Sequence, residues 1–234
     1  MAVKTYRIQK LDQEFGRFGR DGLLNEIQLH SDSSKLKHSN IVEFYGHAKD
    51  HRFAYLFFEL CDGTLEQYIE ERGGKLSESE ARKFGAQILE GLRALHGLGF
   101  SHRDLKANNV LMKDGVCKVS DLGLGTDKQR FNSSVGALGV RAPESILRDI
   151  RTLAVDIWSL GIMMHMMVFI EFPFANSGSG IEKAIVYDPY EIPEEPKIGP
   201  EFRDMLEKCL EKDPVRRITT VELCQHPCFT GVKN

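Results

Sequence analysis

Ser101-His102-Arg103-Asp104-Leu105-Lys106-Ala107-Asn108-Asn109 is the stretch on which the reading of this chain turns. It sets one carboxylate, Asp104, among a histidine, an arginine, a lysine and two asparagines, with Leu105 as the single large apolar side chain. That is a charge-rich loop, and the elements that hold it lie on either side. Upstream, Ser77-Glu78-Ser79-Glu80 has capping-box spacing, in which a hydroxyl and a carboxylate satisfy the free backbone donors of a helix start. Phe84, Ile88, Leu92 and Leu95 then recur on one face, which predicts a long helix running towards the loop. Downstream, the apolar runs 110–112 and 116–119 flank Lys113-Asp114-Gly115, a turn signal that predicts a small hairpin.

Further out, the N-terminal part is rich in strands. Residues 3–6 read as the end of a strand, Gly16, Gly19 and Gly22 as a flexible connection, and residues 23–29 as a helix. The stretches 41–46 and 53–60, aromatic and β-branched, predict two strands joined by the polar turn Ala48-Lys49-Asp50-His51. Helical signals dominate afterwards. Thr64-Leu65-Glu66-Gln67 and Thr219-Thr220-Val221-Glu222 are two more capping boxes, and residues 201–210 carry a further helical pattern. Regular periodicity fades between Val119 and Asp156, and no internal repeat is visible. A small strand-rich part followed by a larger helical part is a two-lobed α+β arrangement.

Composition narrows the class. Of 234 residues, 41% are apolar and 28% charged, near ordinary globular values, so neither a disordered nor a membrane class is favoured. A formal net charge of -3 leaves no basic footprint for nucleic acid. The most apolar stretch, 157–170, is broken by Ser159 and His165 and falls short of the roughly 20 residues a bilayer span needs, so it reads as a buried core helix with no membrane insertion. The start, Met-Ala-Val-Lys-Thr-Tyr, carries no apolar signal region. Five cysteines without paired metal spacing fit reduced thiols and a cytoplasmic protein, and Cys224 and Cys228 read as packing residues.

The run 101–109 matches the pattern H-R-D-L-x-x-x-N, and through it the chain resembles the eukaryotic-type protein kinase domain, serine/threonine type. Asp121-Leu122-Gly123 stands where that family has D-F-G, and Ala142-Pro143-Glu144 matches A-P-E at a 23-residue offset from Asp121. Asp156-Ile157-Trp158-Ser159-Leu160-Gly161 is similar to the family's central helix, whose aspartate anchors the catalytic loop, and Arg217 to the arginine that pairs with the A-P-E glutamate, here Glu144. The resemblance implies that Asp104 orients the substrate hydroxyl and accepts its proton, that Lys106 approaches the γ-phosphate, and that Asn109 and Asp121 bind magnesium. Ala2-Val3-Lys4 resembles the strand V-A-I-K, which makes Lys4 the holder of the α- and β-phosphates and Glu26 its helix partner. His30, one turn on, occupies an expected apolar position and unsettles that helix register. The hinge falls on Phe58-Glu59-Leu60-Cys61-Asp62-Gly63, with backbone groups near Glu59 and Cys61 for adenine and Phe58 as the bulky residue behind it.

Three departures qualify the resemblance. The G-x-G-x-x-G-x-V loop belongs about a dozen residues before the strand lysine, and only three residues precede Lys4. Gly136-Ala137 replaces Gly-Thr, which loosens Asp104 and Lys106, and Val140 replaces an aromatic residue. Ser133, with Ser134 and Thr126 as alternatives, sits where the family often carries an activating phosphate that Arg103 could pair with. Lys106 indicates serine or threonine acceptors, and Asn108 argues against an arginine-directed substrate motif.

The resemblance therefore implies a two-lobed kinase-like α+β fold. Residues 1–60 form a truncated small lobe and 61–234 the hinge and large helical lobe. It implies ATP and Mg2+ as cofactors, a protein substrate with a serine or threonine acceptor, and a regulatory protein as a second class of partner. The expected activity is serine/threonine phosphorylation by a fragment or short form with impaired ATP binding. The alternative is a catalytically inactive, pseudokinase-like interaction module.

Overall fold

Aromatic and aliphatic residues, densest in Phe53–Phe58, build the first sheet. In the computed structural model, which describes residues 1–10, 17–122, 141–148, 152–174 and 180–231, β1 (Ala2–Arg7), β2 (Phe44–Lys49) and β3 (Phe53–Phe58) pair antiparallel in the order β1-β3-β2. The register sets Ala2 opposite Phe58, Lys4 opposite Leu56 and Tyr6 opposite Ala54. Residues paired in this way share a face, so Lys4 and Tyr6 lie on the side that holds the buried Ala54, Leu56 and Phe58. Tyr6, Leu23, Ile27 and Phe44 pack against a small core of Val42, Leu56 and Phe58.

The helix behind this sheet is longer than its sequence pattern suggested. α1 spans Arg17–Ser34 and takes in Gly19 and Gly22, which the sequence reading had placed in a flexible connection. Helical glycine costs about 1 kcal/mol relative to alanine, a local preference that tertiary docking overrides here. At the other end the Gln28 side chain bonds Asp32 at 2.8 Å and Ser33 Oγ bonds the His30 carbonyl at 3.1 Å, extending the helix past Leu29. β2 also starts later than expected. Val42 N–H donates to Val119 O and Val119 N–H to Asn40 O, so Ile41 pairs with the second sheet and the strand begins at Phe44, with a bulge before Gly46.

The second sheet, β4 (Gly63–Thr64), β5 (Val110–Lys113) and β6 (Val116–Val119), contains the expected hairpin. The helices α2 (Leu65–Glu70), α3 (Glu78–Gly97), α4 (Pro143–Arg148), α5 (Ala154–Phe169), α6 (Ile181–Tyr187), α7 (Pro200–Cys209) and α8 (Thr220–Cys224) follow. All three capping boxes form, at Thr64, Ser77 and Thr219. α3 buries Phe84, Ile88, Leu92 and Leu95 in one core with α5, α7 and the hairpin, and Cys209 and Cys228 are fully buried in it. Each fully buried large aliphatic side chain contributes about 1.5 to 3 kcal/mol, so this core fixes the platform beneath residues 101–109. Gly91 lets α3 approach closely, since a Cβ there would lie 2.5 Å from the Asn40 carbonyl oxygen. Among the described residues no helix is long and apolar enough to cross a membrane.

Candidate active site

The loop 101–109 is held from below by one buried carboxylate. Asp156, fully buried on α5, accepts from the backbone N–H of His102 and Arg103, each at 2.8 Å, and from Ser101 Oγ at 3.1 Å. His96 Nε2 adds a fourth contact at 2.8 Å. Burial alone would raise the Asp156 pKa, yet its hydrogen bonds, led by His96, hold it below the usual carboxylate range. His102 Nδ1 accepts from Asp104 N–H at 3.3 Å, which leaves Nε2–H to donate to Ser120 O at 2.8 Å. The loop is thereby tied to the residue that precedes Asp121.

Asp104 is ordered by its own neighbours. Lys106 Nζ donates to Asp104 Oδ2 at 2.8 Å, and Asn109 Nδ2 donates to the Asp104 carbonyl at 2.8 Å and to Oδ2 at 3.0 Å. With its amide nitrogen engaged, Asn109 keeps its carbonyl oxygen as an available acceptor, and Asp121 offers carboxylate oxygens. That donor set suits a hard divalent cation. Arg103 and Asp121 both have positive φ, 66° and 60°, a conformation that costs energy outside glycine and that is found at sites whose surroundings over-determine them.

Across the cleft, Lys4 Nζ donates to Glu26 Oε1 at 2.8 Å and also to Asp121 Oδ1. Burial would lower the lysine pKa, but the Asp121 and Glu26 charges outweigh it and raise it well above the usual value. For Asp121, burial opposes ionisation and the Lys4 charge favours it more strongly, so its pKa lies below the ordinary range. Glu26 thus occupies the expected register. His30, one turn on, is fully buried, packs edge-on to Phe58 at 4.8 Å and against Phe44, and accepts from Leu122 N–H through Nε2 at 3.3 Å. Burial pushes its pKa down to about 3, so it acts as a neutral packing residue with one acceptor. The sequence reading missed Tyr6, whose hydroxyl donates to Glu26 Oε2 at 2.6 Å; its position two residues beyond Lys4 was the available signal.

A cleft of about 440 Å³ joins these groups. Lys4, Glu26, Asn109 and Asp121 line it on one side, and Phe58, Glu59 and Cys61 on another. Asp104 and Lys106 do not line it and connect through Asn109. Phe58 closes β3 as a buried residue, while Leu60 is exposed. Glu59 is fastened: its N–H donates to Glu43 O at 3.0 Å, and its carboxylate accepts from Glu43 N–H, Lys113 and Lys118 at 2.8 to 2.9 Å.

Away from the cleft, Arg217 and Glu144 form a buried bidentate pair at 2.7 and 2.9 Å, as the sequence indicated. Gly16, Gly123, Thr126, Ser133, Ser134, Gly136, Ala137 and Val140 lie outside the described residues.

A family model described as protein kinase domain matches residues 1–229. The serine/threonine-protein kinase PLK4 of Nematostella vectensis is 32% identical over 215 residues, covering 88% of this chain and 21% of the relative. The SNF-related serine/threonine-protein kinase of Rattus norvegicus is 35% identical over 240 residues, covering 99% of this chain and 31% of the relative. The CDPK-related protein kinase of Daucus carota is 35% identical over 208 residues, covering 84% and 34%. This chain therefore spans between about a fifth and a third of the length of these relatives. With the match running over nearly all of its residues and its motif residues gathered around one cleft, the chain belongs to the protein kinase domain family.

Proposed function

We propose that this chain is a protein serine/threonine kinase domain that moves the γ-phosphoryl group of Mg-ATP to a serine or threonine hydroxyl of a protein. The observation that carries the reading is the convergence of Lys4, Asn109 and Asp121 on one cleft, with Asp104 bonded to Asn109 beside it. Bound Mg-ATP supplies the phosphoryl group and the divalent charge that neutralises it during transfer. The residues of the chain do the positioning. Asp104 orients the acceptor hydroxyl and takes its proton, and Lys106 contributes positive charge next to it. Asn109 and Asp121 hold the metal through oxygen, while Lys4, kept in place by Glu26, holds the α- and β-phosphates. Adenine rests by Phe58, on the Glu59 carbonyl and the Cys61 backbone, since the Glu59 N–H is already engaged by Glu43. Residues 1–60 and 61–234 act as two lobes about that hinge. The five free cysteines support a cytoplasmic protein.

We further propose that the 234-residue chain grips Mg-ATP weakly. β1 is an edge of its sheet, so no described strand lies beyond it to offer donors over the phosphates. The Lys4 side chain is 36% exposed. Loss of preorganised donors costs about two orders of magnitude in rate. The same edge favours the second reading, a non-catalytic interaction module, whereas the complete set Lys4, Asp104, Asn109 and Asp121 favours the first. Thermal melting with and without ATP and magnesium separates the two. The kinase reading expects a magnesium-dependent rise in Tm that disappears in Asp121→Asn; an unchanged rise in that variant contradicts the metal assignment.

A further inference from the structure

Among the described residues two donors reach the carboxylate of Glu26, and one of them is the lysine. Lys4 Nζ reaches Oε1 at 2.8 Å and the Tyr6 hydroxyl reaches Oε2 at 2.6 Å. Strand periodicity puts residues 4 and 6 on the same face, and the Lys4 ammonium lies 5.3 Å from the centre of the Tyr6 ring. Burial and the negative charge of Glu26 push the Tyr6 phenol well above its usual range, so it remains a protonated donor at physiological pH.

The lysine has other claims on it. Its ammonium also donates to Asp121, and in the proposed reaction it must serve the nucleotide phosphates. Glu26 is only 3% exposed, and a buried carboxylate stripped of a donor is destabilised by its lost hydrogen bond and desolvation. Among the described residues the Tyr6 hydroxyl donates to Glu26 while its ring faces the Lys4 ammonium, so it can keep one oxygen of Glu26 engaged wherever Lys4 points. We propose that Tyr6 is a positioning residue: acting through Glu26, it docks α1 on β1, leaves Lys4 able to turn to the phosphates, and so sets the affinity for Mg-ATP. This rests on the kinase reading above for its nucleotide part.

Tyr6→Phe deletes one hydroxyl and keeps the ring, which makes it a mild test of folding. Two measurements on the whole chain decide the matter. Amide hydrogen exchange of α1 without nucleotide should quicken about tenfold around Glu26, the effect of losing a bond to a charged group. Calorimetric Kd for Mg-ATP should rise about tenfold, and adding Tyr6→Phe to Glu26→Ala should change it less than about twofold, because the route runs through Glu26. A residue with a merely structural role would instead speed exchange throughout the chain and add its full loss to the double variant. Wild-type exchange over α1, unchanged Kd, or additive losses overturn the proposal. Failure of the wild-type chain to bind Mg-ATP would overturn the kinase reading and the nucleotide part together. The exchange measurement would still judge the Tyr6–Glu26 clamp on its own.

Discussion

Two buried carboxylates hold the two sides of the cleft, and they do so by different means. Below it, Asp156 is fully buried and gathers two backbone N–H groups, the Ser101 hydroxyl and His96. Above it, Glu26 is nearly as buried, but its partners are Lys4, with a side chain 36% exposed, and the half-buried Tyr6, both on an edge strand. Backbone donors inside a core cannot be withdrawn without unfolding, whereas side chains at a sheet edge can. The loop 101–109 is therefore a fixed platform, and the Lys4 side is the part whose contacts can be exchanged.

The contrast breaks if the lower anchor proves dispensable. Asp156→Ala strips the acceptor from four donors at once and should lower stability by about 3 to 5 kcal/mol, read from urea unfolding midpoints. A loss below about 1 kcal/mol would mean that the loop is held by something else.

A second test lies on the same helix. His165 is 1% exposed, bonds the Tyr190 hydroxyl through Nδ1 at 2.8 Å, and is held down to about 4 by burial. Its folded pKa lies below the unfolded value of about 6.5, so the unfolded chain takes up the proton first. Its contribution is intact above pH 6.5 and is lost as pH falls towards 4, by up to roughly 3 kcal/mol. His165→Gln should flatten that slope in unfolding midpoints compared between neutral and acidic buffer. An unchanged slope would show that the buried helix is not what acid attacks.

The smallest effect belongs to the upper side. Lys4→Met should lower unfolding free energy by about 1 to 2 kcal/mol, less than the loss of Asp156, because the lysine is partly exposed and Tyr6 still serves the buried Glu26, yet it should weaken Mg-ATP binding. A large stability loss would erase the difference between the two anchors.

What could be read from the sequence was whatever is encoded in contiguous residues or fixed spacing. The run 101–109, the hairpin after it, the three capping boxes and the Arg217–Glu144 pair all appear where expected, since each has a local pattern or a motif of known order. Contacts between distant segments were less visible. The reach of α1 through Gly19 and Gly22 contradicts local propensity, and β2 begins late because Val42 is captured by Val119, far along the chain. His30 looked out of place in a packing position until the aromatic surroundings of Phe44 and Phe58 and the Leu122 amide accounted for it. Tyr6 carried no motif of its own, and only the fold brings its hydroxyl to Glu26.

The most direct measurement incubates the wild-type chain and Asp104→Asn with γ-labelled Mg-ATP at saturating concentration and a protein substrate, followed by phosphoamino-acid analysis and a melting curve for each. The account predicts label on serine and threonine that falls by roughly 10² to 10⁴ in Asp104→Asn while the melting temperature stays close to wild type. Equal label in the two proteins, or label on tyrosine alone, would contradict it.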